Sequence, residues 1–184
     1  MTHIIALSGS LRRDSYNTAL LKTIKTLLPQ TVSMDIASIQ GIPLYDGDAE
    51  AENGIPQAVS ELKTAIQQAD ALLISTPEYN CGIPGVLKNT IDWLTRPPED
   101  ISKVFGNRKV GLIGASAGRL GTALSQSAWL PTLRFLNVDL YTEKSLFISG
   151  VHTLFDQNGQ LQDDPTQHHL QGYADGFVDF ITQS

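Results

Sequence analysis

The stretch HIIALSGSLRRDSYN, His3 to Asn17, sets an unbroken apolar run against a loop of serines and arginines that leads into a helical pattern. The centre of His3–Ser8 shows no apolar–polar alternation, which marks a strand buried on both faces. After it, Ser8, Ser10 and Ser15 supply hydroxyls, Asn17 an amide, and Arg12 and Arg13 guanidiniums. From Asn17 to Leu28, Leu20, Leu21, Ile24, Leu27 and Leu28 fall at helical spacing, and Pro29 ends the segment. A loop that runs into a helix N-terminus meets free backbone N–H groups and the positive end of the helix dipole, and both favour an anion. The loop lacks the spaced glycines of a dinucleotide-binding turn and the Gly-Lys-Ser/Thr ending of a P-loop. Short hydroxyl and amide side chains with an arginine suit a monoester phosphate, which needs several converging donors. The plainer alternative is that Asp14 or Ser15 only caps the helix while the arginines are solvated.

Working outward, Val32–Ala37 alternates, with Val32, Met34 and Ile36 on one face, as an edge strand with one wet face does. Ser38–Ile55, rich in Gly, Pro, Asp and Asn, reads as a long surface loop. Pro56–Ala69 reads as a helix with a Val59, Leu62 and Ile66 stripe and Pro56 in its first turn. Ala71–Thr76 and Val110–Ala115 read as two more buried strands, and Val86–Leu94 as the helix between them. Leu120–Leu136 contains a helix that Pro131 must kink unless it sits near the first turn. Leu140–Ile148 is the last strand and Pro165–Thr182 the last helix. Five strands alternating with five helices, without repeat or linker, predict one α/β domain over residues 1–184. The architecture is a three-layer, doubly wound, five-stranded parallel sheet of order 2-1-3-4-5. In such a sheet ligands sit at the carboxyl ends of the strands beside the switch point, which directs attention to the loops after Leu7, Thr76 and Ala115.

A formal charge of -6 over 184 residues argues against general attraction to nucleic acid or to an anionic membrane. No apolar run reaches the ~18 residues a membrane span needs, and the N-terminus has no basic region before its short apolar stretch. The single cysteine, Cys81, fits a reducing compartment, so a cytoplasmic location is expected.

The second loop, PEYNCGIPGVLKNTIDW from Pro77 to Trp93, makes a rigid turn whose backbone groups can read the edge of a flat heterocycle beside Tyr79. Cys81 is not a phosphatase nucleophile, because the Cys-x5-Arg pattern needs arginine where the chain has Leu87. The third loop, GASAGRLGT from Gly114 to Thr122, is rich in glycine between a strand and a helix. Two phosphate loops and a heterocycle loop would suit a nucleotide, whereas one phosphate loop and two loops around a ring system suit a flavin mononucleotide better. The histidines show no metal-ligand spacing.

Together GSLRRDSYN, IPLYD (Ile42–Asp46), PEYN, PGVLKNTIDW (Pro84–Trp93) and GASAGRLGT resemble the NAD(P)H-dependent FMN reductases of the flavodoxin-like superfamily, the group with chromate, quinone and azo-dye reductases. The resemblance implies that Ser10, Arg12, Ser15 and Asn17 hold the FMN phosphate. It places Pro77, Glu78, Tyr79 and Asn80 along the isoalloxazine, largely through backbone groups, and Ser116, Gly118 and Arg119 at its other edge. It implies an oxidoreductase with tightly bound, non-covalent FMN and NADH or NADPH as co-substrate. Hydride would pass through the flavin to a small-molecule quinone, azo, metal-oxyanion or flavin acceptor by a ping-pong mechanism, with no catalytic side chain and no metal. It also implies a homodimer or homotetramer. An electron carrier or a non-catalytic flavin sensor on the same fold is the alternative.

Overall fold

The computed structural model describes residues 1–183. The strands are β1 (Thr2–Ser8), β2 (Val32–Ala37), β3 (Ala71–Ser75), β4 (Lys109–Ala115), β5 (Asp139–Leu140) and β6 (Leu146–Ile148). The helices are α1 (Tyr16–Leu27), α2 (Gly47–Asn53), α3 (Gln57–Gln68), α4 (Gly85–Leu94), α5 (Ile101–Val104), α6 (Ala123–Phe135) and α7 (Asp164–Thr182). The sheet is parallel with order β2-β1-β3-β4-β5, and β6 also pairs with β4. This is the flavodoxin-like three-layer α/β arrangement.

Burial explains the patterns. In β1, Ile4 and Ala6 enter one core with Leu20, Leu21 and Ile24 of α1 and Tyr173 and Phe177 of α7. Ile5 and Leu7 enter the other, with Val59, Leu62 and Ile66 of α3, Leu87 and Trp93 of α4, and Trp129 of α6. Alternate residues of one strand thus feed two cores, so neither parity can be polar. Each such Leu or Ile contributes about 1.5–3 kcal/mol by burial. At the edge, only Val32 and Met34 of β2 are buried, while Asp35 is exposed.

Three expectations need correction. The loop over 38–55 contains α2, a helix with no buried residue whose N-cap Asp46 accepts from the Asp48 N–H at 2.9 Å. A cap and helix-favouring Ala and Glu form it, so no apolar stripe announces it. The expected last strand is two pieces: Leu140 pairs with Val110 and Leu146 with Ile113, and the chain bulges outward between them. Pro131 lies inside α6 beyond its first turn, the interior one of the two placements expected for it. It is exposed, as is Ser127, so the carbonyl that loses a partner faces water. Pro56 is the N-cap of α3 and stands just ahead of the first turn.

Register places the site. Ser8 pairs with Ser75 and Ser75 with Ile113, while β4 and β6 run two residues further to the Ala115–Ile148 pair, so the strands end within two residues of one another at one edge. The ladder continues one residue into each loop, through Gly9 N–H to Ser75 O (2.8 Å), Thr76 N–H to Ile113 O (2.8 Å) and Ser116 N–H to Ile148 O (2.9 Å). All three loops therefore leave the sheet from fixed points on the same rim.

Candidate functional site

The three loops enclose a cavity of about 440 Å³ at the carboxyl ends of β1, β3 and β4. Ser10, Arg12, Ser15 and Asn17 line it from the first loop, Pro77 to Asn80 from the second, and Ser116 and Gly118 from the third. Arg119 does not reach it. Tyr16, Cys81, Ala115 and Ala117 line it as well, and no spacing or motif in the sequence singles them out.

The first loop ends in a set of unspent donors. The Ser10 Oγ accepts from the Arg12 N–H and from the Tyr79 hydroxyl, both at 3.3 Å, which leaves its own hydrogen free. The Ser15 Oγ caps α1 by accepting from the Thr18 N–H at 3.3 Å, and its hydrogen is also free. The expected cap is therefore present, and it leaves the hydroxyl able to donate. The first turn of α1 carries no acidic residue, so no carboxylate within it offsets the dipole. The guanidinium of Arg12 has no carboxylate within ion-pair distance among the described residues. Hydroxyl donors, a helix N-terminus and an unpaired guanidinium converge here, which is the donor chemistry of a phosphate monoester.

Asn17 is differently employed. Its side chain is buried, the Oδ1 accepts from the Ser75 Oγ (2.9 Å) and the Ala115 N–H (3.0 Å), and the Nδ2 donates to the Ala115 carbonyl (3.0 Å). The amide thereby ties α1 to the ends of β3 and β4.

Glu78 is likewise a tie. Its Oε2 accepts from the N–H groups of Leu124 (2.9 Å) and Ser125 (3.0 Å), capping α6 from the second loop. Beneath it, Thr76 Oγ1 donates to the Pro77 carbonyl, shares a hydrogen bond with Ser125 Oγ at 3.0 Å, and accepts from the Trp129 indole N–H at 3.1 Å. The rest of the second loop is a two-residue reversal. Tyr79 and Gly82 exchange backbone hydrogen bonds across Asn80 (φ 50°) and Cys81 (φ 61°). Asn tolerates that left-handed conformation, whereas Cys adopts it at a cost of about 1–2 kcal/mol. A cap, a hydroxyl network and a tight turn thus leave the backbone of 77–80 as the surface presented to the cavity.

Close approach explains two glycines. A Cβ on Gly9 would lie 2.7 Å from Leu87 Cδ2 and 2.8 Å from Pro77 Cδ, so only glycine lets the first loop rest on the second. Gly121, at φ 59°, would press a Cβ to 2.7 Å from the Phe147 backbone. The Ser116 hydroxyl donates to the Gly121 carbonyl, which closes the third loop on itself. Trp93 is core: it is 2% exposed and donates to the Pro43 carbonyl at 2.8 Å, which also holds the IPLYD segment against α4. No cluster of His, Cys, Asp and Glu suited to a metal occurs among the described residues.

Fold and site define a flavodoxin-like protein with a cluster of unspent donors at the sheet's switch point. The chain belongs to the NADPH-dependent FMN reductase family, whose profile matches residues 2–153, and it is an FMN-binding oxidoreductase. It is 44% identical over 168 residues to an NAD(P)H-dependent FMN reductase of Pseudomonas aeruginosa, covering 91% of this chain and 89% of that one. It is 36% identical over 178 residues to a 2-hydroxy-1,4-benzoquinone reductase of a Burkholderia species, covering 97% and 95%. A solved flavoenzyme NAD(P)H:(acceptor) oxidoreductase from Paracoccus denitrificans superposes with a TM-score of 0.87 at 32% identity, covering 98% and 97% of the two chains.

Proposed function

We propose that the protein passes reducing equivalents from NAD(P)H to a small-molecule acceptor of the quinone, azo, metal-oxyanion or free-flavin kind, in two alternating half-reactions at one cavity. FMN held in the cavity would supply the redox chemistry of both half-reactions. The observation that carries the reading is the unspent donor set of the first loop at the rim of a 440 Å³ cavity, in a chain of this family.

Within it, Ser10 and Ser15 would donate their free hydroxyl hydrogens to the FMN phosphate, and Arg12 its guanidinium. Asn17 would contribute its backbone N–H, since its side chain is committed to Ala115 and Ser75. The backbone of Pro77 to Asn80 would run along one edge of the ring system, and Ser116 and Gly118 along the other. Arg119, outside the cavity, would act only on what approaches from solvent. Neither polar side chain of the second-loop strand end is free to act as an acid or base: the Glu78 carboxylate is held by two N–H groups and the Tyr79 hydroxyl donates to Ser10. The protein's part is to position, because hydride transfer depends on stacking distance and alignment. We further propose a cytoplasmic location, in keeping with the single cysteine, and a homodimer or homotetramer, supported by the exposure of Leu120 (60%) and Leu124 (40%).

The test is steady-state kinetics with NADPH and a benzoquinone. Parallel double-reciprocal lines are expected. A flavin-loaded protein that shows no quinone-dependent NAD(P)H oxidation would support the electron-carrier alternative.

A further inference from the structure

The two arginines of the first loop serve different spaces. Arg12 lines the flavin cavity, whereas Arg13 lies outside it and lines a second cavity of about 410 Å³ on the flank of α1. The two cavities adjoin, since Arg12, Ser15 and Tyr16 line both. Lys22 of α1 adds a third cation to the second cavity. None of the three has a carboxylate within ion-pair distance among the described residues. Two carboxylates also line this cavity, Asp14 and Asp156. Asp156 is committed to its own turn, accepting from the N–H groups of Asn158 (2.8 Å) and Gln160 (2.9 Å). Tyr16, half-buried and braced on Phe155 at a centroid distance of 6.1 Å, gives a fixed aromatic face where the cavities meet.

We propose that this second cavity takes the adenosine end of the co-substrate, with Arg13 and Lys22 on its 2′-phosphate, so that the protein selects NADPH over NADH. The inference rests on the NAD(P)H reading above. The nicotinamide must lie over the flavin for hydride transfer, so the adenosine end has to leave through an adjoining groove. NADH carries a neutral 2′-hydroxyl at that end and NADPH a phosphate dianion, and only the dianion gains from unpaired cations. A third groove of about 280 Å³, beyond the carboxyl ends of β1 and β2, also contains Arg12 and Arg13, but no lysine and no aromatic ring. The lysine and the ring favour the α1 side.

The experiment is calorimetric titration of the FMN-loaded full chain with 2′,5′-ADP and with 5′-ADP, beside NADPH and NADH kinetics. Binding of 2′,5′-ADP about tenfold tighter than 5′-ADP is expected, the weight of one or two charge-assisted contacts. Arg13→Ala and Lys22→Ala should each reduce that preference and raise KM for NADPH more than KM for NADH, with FMN affinity kept. Loss of FMN affinity in either variant would mean that the cations serve the flavin phosphate, which overturns the assignment. Equal binding of the two nucleotides overturns it too. An effect of Arg13→Ala with Lys22→Ala silent would move the phosphate to the third groove and equally overturn it. A chain that prefers 2′,5′-ADP through these residues yet oxidises neither nicotinamide would retain the phosphate site and lose the reductase reading, so the two fail separately.

Discussion

Asn17→Ala separates a residue that grips a phosphate from one that holds the site together. The substitution removes three hydrogen bonds and strands the Ala115 N–H, the Ala115 carbonyl and the Ser75 hydroxyl. Ser75 is 0% exposed and Ala115 2%, so bulk water does not reach these groups. Each unsatisfied group costs about 1–3 kcal/mol. A single water entering the vacated space could re-bond part of the set, which brings the expected loss to about 3 kcal/mol. At a urea m-value of about 2 kcal/mol/M the apoprotein midpoint would fall by about 1.5 M. The assay is urea unfolding of flavin-free protein followed by tryptophan fluorescence, since Trp93 and Trp129 are both core. Asn17→Asp should recover little of this loss, because it keeps the acceptor for Ser75 and Ala115 N–H but sets a buried carboxylate oxygen against the Ala115 carbonyl. A shift below about 0.5 M, roughly 1 kcal/mol, together with weakened FMN binding would rule out a structural role for the amide. The amide would then be a phosphate ligand and the tie incidental.

Arg12→Ala should weaken FMN binding about tenfold to a hundredfold, the range for a hydrogen bond to a charged group, while apoprotein stability moves by no more than ~0.5 kcal/mol. Flavin fluorescence titration and urea unfolding measure the two. Glu78→Ala deletes the cap of α6 and should cost about 1–2 kcal/mol. Glu78→Gln should recover part of that, since its carbonyl still accepts, and the bound-flavin absorption band reports any displacement of the second loop. Asp100 accepts from Lys63 (2.8 Å) and Lys103 (2.7 Å), and these cations hold its carboxyl below the usual carboxylate range. Its contribution is therefore complete above the unfolded value of about 3.9 and is lost as pH falls through the lower folded value. Because Lys63 is buried, Asp100→Ala should lower the melting temperature more than Lys63→Met does, as a stranded buried charge is worse than an apolar replacement.

What was legible in the sequence follows from what local pattern can encode. The β1, β3 and β4 runs were readable because burial on both faces removes every polar position from a strand. The three loops could be placed because strand order alone fixes which rim they share. The function of a polar side chain was less visible, since it depends on partners distant along the chain. Asn17 and Glu78 occur in the same motifs as cavity-lining neighbours. Only the fold brings Ala115 to the first and the start of α6 to the second. Arg119 follows Gly118 directly, yet the third loop turns before it reaches the cavity. The break between β5 and β6 is silent for a related reason, because Leu140 and Leu146 suit one continuous strand as well as two separate pairings with β4.

On this reading the first-loop donors hold FMN in a cavity where NADPH delivers its hydride. Anaerobic titration of the purified protein with NADPH, followed in the visible spectrum, tests it most directly. A yellow protein with close to one FMN per chain, bleached by about one equivalent of NADPH, is the predicted result. A protein that retains no FMN when flavin is supplied, or a bound flavin whose colour survives excess NADPH and NADH, would contradict it.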